Sequence, residues 1–109
     1  MRLFVILPVL ILSGCATANV ANIPGNTQAN NRLKADIVNM INMVERAQAP
    51  HCRYQIIDTK VTGVVGDTVT EEWTVESCGK NIIYPVELTP DPKGGTFFGI
   101  QTPDKKDRE

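Results

Sequence analysis

The sequence predicts an α+β fold, with one N-terminal helix packed in two layers on a four-stranded antiparallel sheet of meander topology. Three observations carry this expectation. Apolar residues recur at three-and-four spacing over residues 33–47, and at alternate positions after Pro50. Clusters rich in Gly, Pro and Asp divide that second stretch into four runs. Two cysteines, Cys52 and Cys78, stand where the first hairpin brings its open ends together.

The helix comes first. Leu33, Ile37, Met40, Ile41, Val44 and Ala47 share one face, while Lys34, Asp36, Asn39, Asn42, Glu45 and Arg46 fall mostly elsewhere. Asn31 is the expected cap and Pro50 the stop. Met40 and Met43 read as core filler rather than as a binding groove, since thioether side chains fill irregular gaps.

The strands are expected at residues 52–61, 68–78, 81–88 and 96–101, with turns at Gly63–Asp67, Gly79-Lys80 and Pro90–Gly95. Setting Cys52 opposite Cys78 centres the first turn on Val65 and pairs Ile57 with Trp73 and Val61 with Val69. A two-residue Gly79-Lys80 turn then sets Trp73 against Val86 and Val75 against Tyr84. Leu88 opposite Thr96 brings Phe98 beside Val86 and Ile100 beside Tyr84. One face thereby collects Ile57, Val61, Val69, Trp73, Val75, Ile82, Tyr84, Val86, Leu88, Phe98 and Ile100, and a slip of one residue scatters the set. Two features fit poorly. Arg53 and Gln55 fall on the core side, and Pro85 sits in an interior strand without an N–H to donate. A bulge or another strand order relieves both.

The same register aligns Asp58, Glu72 and Glu87 across the outer face. Like charges directly opposite one another are destabilising, so the row invites a basic partner or a divalent cation, unless the charges simply splay into water. Tyr54, Ile56, Ile83, Pro85 and Phe97 form a second, partly apolar set on that face, a candidate docking surface.

The chain has 109 residues and a formal net charge of −1, enough for one domain and without the basic stripe that phosphate binding needs, so no nucleic-acid partner is expected. Its opening is distinctive. Met1-Arg2 precedes an apolar run over residues 3–12 and then Ser13-Gly14-Cys15. Ten helical residues reach about 15 Å against a hydrocarbon core of roughly 30 Å, too short for a permanent span but suited to an export signal. The junction Leu12-Ser13-Gly14-Cys15 resembles the lipobox of bacterial lipoproteins. The resemblance covers only the first fifteen residues. It implies cleavage before Cys15, acylation of that residue (palmitate among the usual chains) and a bilayer as partner. Ala16, where inner-membrane retention uses Asp, implies the periplasmic face of the outer membrane. The expected organisation is a signal at 1–14, a lipidated Cys15 and flexible tether to 31, a domain at 32–102 and a disordered charged tail at 103–109.

In an oxidising compartment Cys52 and Cys78 form one disulfide. Closing a loop of about 26 residues stabilises a fold by roughly 3 kcal/mol on chain-entropy reasoning. They are too far apart for a redox C-x-x-C pair, and His51 is the only histidine, so no metal site or other cofactor is expected. A Ser77–His51 catalyst lacks an orienting acid and an oxyanion hole in the local sequence. Gly94-Gly95 is no phosphate cradle, being too short and far from any helix start. The expectation is therefore a non-catalytic accessory or binding component of a cell-envelope complex. The alternative is a lipoprotein inhibitor of an envelope-attacking enzyme such as lysozyme.

Overall fold

A computed structural model describes residues 22–109. The leader, Cys15 and the first part of the expected tether lie outside those residues. The elements follow in the order α1 (Asn31–Gln48), β1 (Tyr54–Val65), β2 (Thr68–Ser77), β3 (Lys80–Pro90) and β4 (Thr96–Ile100), with a final 3-10 turn at Lys105–Arg108. The strands form one open antiparallel meander, β1-β2-β3-β4, and α1 packs on one face of it. The two-layer α+β fold is as expected.

Helix α1 starts one residue before the expected place. Asn30 holds an extended backbone, and its Oδ1 accepts from the Leu33 amide at 2.9 Å, satisfying a donor the helix cannot. Leu33, Ile37, Ile41 and Glu45 are buried and repeat every fourth residue. Met40 and Met43 are 37% and 63% exposed, so neither is core filler. A helix resting on a sheet buries one ridge, and with no second α-helix beside it among the described residues the flanks stay in water.

Strands β2 and β3 alternate without interruption. Glu71, Trp73, Val75 and Ser77 are buried on one, and Ile82, Tyr84, Val86 and Leu88 on the other. Their turn is Cys78-Gly79, with φ of 49° and 78°, the doubly positive backbone of a type I′ hairpin. Gly79-Lys80 was expected, and the one-residue displacement slides the partners by two, so Trp73 faces Tyr84 and Val75 faces Ile82. A slide of two preserves which side chains look inward. The β3–β4 pairing shifts likewise, with Leu88 facing Phe98 and Val86 facing Ile100. Pro85 proves harmless. Its carbonyl accepts from the Gln101 amide at 2.9 Å, so its nitrogen points to the β4 side, just beyond the last β4 pair.

Strand β1 departs most from expectation. Two bulges interrupt it, between Ile56 and Asp58 and between Val61 and Gly63. Ile57 is the extra residue of the first, and it reverses the face of everything before it. Tyr54 opposes Ser77 and Ile56 opposes Val75, both inward, while Thr59 opposes buried Trp73. Arg53 and Gln55 are thereby released to solvent.

Both chain ends correct the expected boundaries. Residues 22–30 are no free tether but a strap laid across the sheet. The Asn26 amide donates to the Thr59 carbonyl at 3.1 Å, and the Thr59 hydroxyl donates to the Pro24 carbonyl at 2.8 Å. Gly25, at φ 97°, approaches so closely that a Cβ there would lie 2.1 Å from the Thr59 carbonyl oxygen. Only glycine fits. Ala29 is buried and Ile23 packs against the core. At the other end Pro103 is buried, its carbonyl accepting from Gln48 Nε2 at 2.9 Å, and the tail closes over the end of α1.

Ile41 is fully buried on the ridge, whereas Met43 faces solvent. Ile41→Ala is expected to lower stability by about 2–5 kcal/mol. Met43→Ala is expected to stay within about 0.5 kcal/mol. Urea titrations followed by Trp73 fluorescence distinguish them, and equal effects would contradict the single buried ridge.

Candidate functional site

Helix α1 lies closer to β4 than to β1. The two layers therefore part on the β1 side, leaving an open cleft of about 1050 Å³. One wall is α1, through Val38, Asn39, Asn42 and Arg46. The other is Cys52–Ile56, and the strap residues Ile23 and Pro24 close one side. The Ile57 bulge turns Tyr54 and Ile56 into this space. The Tyr54 hydroxyl donates to Asn42 Oδ1 at 2.8 Å, bridging the walls. Burial pushes the Tyr54 hydroxyl pKa up, and the negative charge of Glu45 adds to the effect.

The charge of the cleft is one-sided. Arg46 and Arg53 line it, and among the described residues neither is paired with a carboxylate. Glu45 is the only carboxylate among its lining residues, and it is already engaged. Arg108 reaches back from the tail to contact both its oxygens, at 3.1 Å from Nη1 and 2.5 Å from Nη2. The Tyr84 hydroxyl donates to Oε2 at 2.6 Å. Burial raises the Glu45 pKa, but hydrogen bonds from Arg108, then Tyr84 and Ser77, outweigh it and hold the carboxyl below its ordinary 4.5. For Tyr84, burial and the bond to that carboxylate both push the hydroxyl pKa upward. What remains facing the cleft is two cations, amide side chains and an apolar floor.

A second buried carboxylate secures the strap. Glu71 Oε1 accepts from the Thr27 hydroxyl at 2.6 Å and from Trp73 Nε1 at 2.9 Å, and its Oε2 accepts from the Gln28 amide at 2.7 Å.

Cys52 and Cys78 are joined, with Cα atoms 5.0 Å apart, beside the type I′ turn. The expected acidic row does not form. Asp58 opposes Thr74, Glu72 lies between Lys60 and Pro85, and Glu87 lies between Thr70 and Gly99. The three carboxylates step diagonally, each in a different row, and Glu72 gains a lysine opposite. The second set disperses too. Tyr54 and Ile56 turn inward. Ile83 and Phe97 remain exposed on the outer face, at 41% and 63%. Phe97 pairs with Thr89, six residues along β3 from Ile83, or about 20 Å. Ser77 is buried beneath the tail within 3.3 Å of Arg108 Nη1, and no hydrogen bond joins it to exposed His51. Among the described residues no helix is long and apolar enough to cross a membrane, and no three potential ligands gather to hold a metal ion.

The cleft has one signal in the sequence, the misfit of Arg53 and Gln55 on the core side, which a bulge resolves. Compared with protein-family models, curated proteins and solved structures, the chain matches none.

Glu45 has a lowered pKa when folded, so the stability it lends is present above its unfolded value near 4.5 and is lost as pH falls through the folded value. Arg108→Ala is expected to cost about 3–5 kcal/mol at neutral pH by leaving a buried charge without its cation. The same change raises the folded pKa, so the variant should lose less further stability than the parent on acidification. Urea midpoints at neutral pH and below pH 4 test this, and parallel acid losses would refute the role of the pair.

Proposed function

We propose that the protein is a lipid-anchored, non-catalytic component of a cell-envelope complex, attached through Cys15 to the periplasmic face of the outer membrane and binding another envelope protein. The observation that carries this reading is the combination of two cysteine uses. Leu12-Ser13-Gly14-Cys15 has the form of a lipobox, and the two remaining cysteines are spent on one another. A disulfide in a domain of this size suits an exported protein. The exposed Ile83 and Phe97 and the cationic cleft supply surfaces for association.

Anchoring has a geometric consequence. Seven chain positions separate Cys15 from Asn22, where the strap begins, a reach of at most about 25 Å. A lipid on Cys15 therefore holds the strap, and the cleft beside it, close to the bilayer surface.

Growth with labelled palmitate should label the wild-type protein and leave Cys15→Ser unlabelled. In-cell cross-linking of the labelled protein should trap one discrete membrane complex. Equal labelling of both chains would end the anchoring claim, and a protein that cross-links to nothing would end the accessory role.

A further inference from the structure

We propose that the cleft between α1 and β1 is a docking groove for an extended, acidic segment of a partner protein, which adds as a strand along the open edge of β1. This rests on the binding role proposed above and gives the partner its chemistry.

Strand β1 is an outer strand of the sheet, so one row of its backbone donors and acceptors has no strand beside it. Such an edge is a template for another extended chain. The molecule itself places a backbone donor on this edge. At Thr59 the strap crosses it, with the Asn26 amide on the Thr59 carbonyl and the Thr27 amide on the Thr59 hydroxyl at 3.2 Å. Among the described residues, no hydrogen bond from outside the sheet reaches the backbone of Tyr54–Ile56, which lines the cleft. Opposite runs a helix face that lines the cleft with the amide side chains of Asn39 and Asn42, the Oδ1 of the second already accepting from Tyr54.

Charge sets the character of the occupant. Arg46 and Arg53 line the groove with no carboxylate partner among the described residues, and the one carboxylate lining it is held by Arg108. An extended segment alternates its side chains, so an acidic residue meets a guanidinium while its apolar neighbour meets Tyr54 and Ile56. The cleft volume of about 1050 Å³ is slightly above the roughly 300–1,000 Å³ usual for small-molecule pockets, which leaves room for a length of polypeptide.

The test uses the acylated full-length mature protein in detergent, with a seven-residue peptide of alternating Val and Glu and its Val/Lys counterpart as probes. The Val/Glu peptide should slow hydrogen exchange in residues 53–57 and leave β4, the other open edge, unchanged. Arg46→Glu with Arg53→Glu should weaken binding by about tenfold or more, and the paired glutamine variant should weaken it less. Far-ultraviolet circular dichroism and an intact disulfide establish that each variant is folded. Equal binding of both peptides, protection on β4, or binding of phosphatidylglycerol vesicles with no peptide protection would each overturn the proposal. A photo-cross-linker at Phe97 that traps a membrane complex, with residues 53–57 unprotected, retains the binding role and removes this groove. Protection of 53–57 with no complex trapped in cells retains the groove and removes the envelope role.

Discussion

Glu45 and Glu71 are both buried in a core built from one helix and one face of a sheet. A buried carboxylate left without partners costs several kcal/mol, a large share of what a domain of this size possesses. Each is met by a different end of the chain. Arg108, with Tyr84, answers Glu45, and the strap residues Thr27 and Gln28, with Trp73, answer Glu71. The ends are ordered because the core requires them. A composition that reads as tether or tail becomes structure once it supplies donors to a buried acid.

This arrangement also explains why the cleft persists. A helix free to settle centrally over the sheet would close the gap to β1. Instead Glu45, on the last turn of the buried ridge, is tied to Tyr84 on β3 and to the tail. That attachment ties the last turns of α1 to β3 and the tail. The β1 side is left to a single bridge, from Tyr54 to Asn42. The disulfide acts at the same end, binding the chain just before β1 to the β2–β3 turn so that the edge strand cannot follow the helix.

The architecture was legible where one period runs unbroken. On β2 and β3 the inward residues alternate from Glu71 to Leu88, and a misplaced turn moved partners by two without changing a face. What could not be read has local causes. Ile56 and Ile57 are adjacent and equally apolar, so the pattern cannot say which looks inward, and a bulge lies in that ambiguity. Glu45 was counted among the polar residues, although it lies four beyond Ile41 on the buried ridge, because its partner sits sixty-three positions away. Spacing and hydrophobicity place the methionines near the core, but among the described residues no second helix packs beside α1 to cover them. The candidate site was illegible for the same reason as the bulge, since it exists only once Tyr54 and Ile56 change sides.

A single inserted residue therefore relocates the recognition chemistry. With an unbroken β1 in the expected register, Asp58 would stand opposite Glu72 and Tyr54 would look outward beside it, while the Cys78-Gly79 turn sets Glu87 apart in either case. With Ile57 bulged, Lys60 stands opposite Glu72, the acidic row is broken and the outer face loses its one-sided charge. Tyr54 and Ile56 become the apolar floor between two unpaired guanidiniums. The bulges also limit the hazard of an open edge. The strap covers Thr59, and a second irregularity follows at Thr62, so the edge is interrupted rather than long and flat. A long flat edge pairs with any extended chain, whereas a short one set between cations and a helix selects by charge and by length.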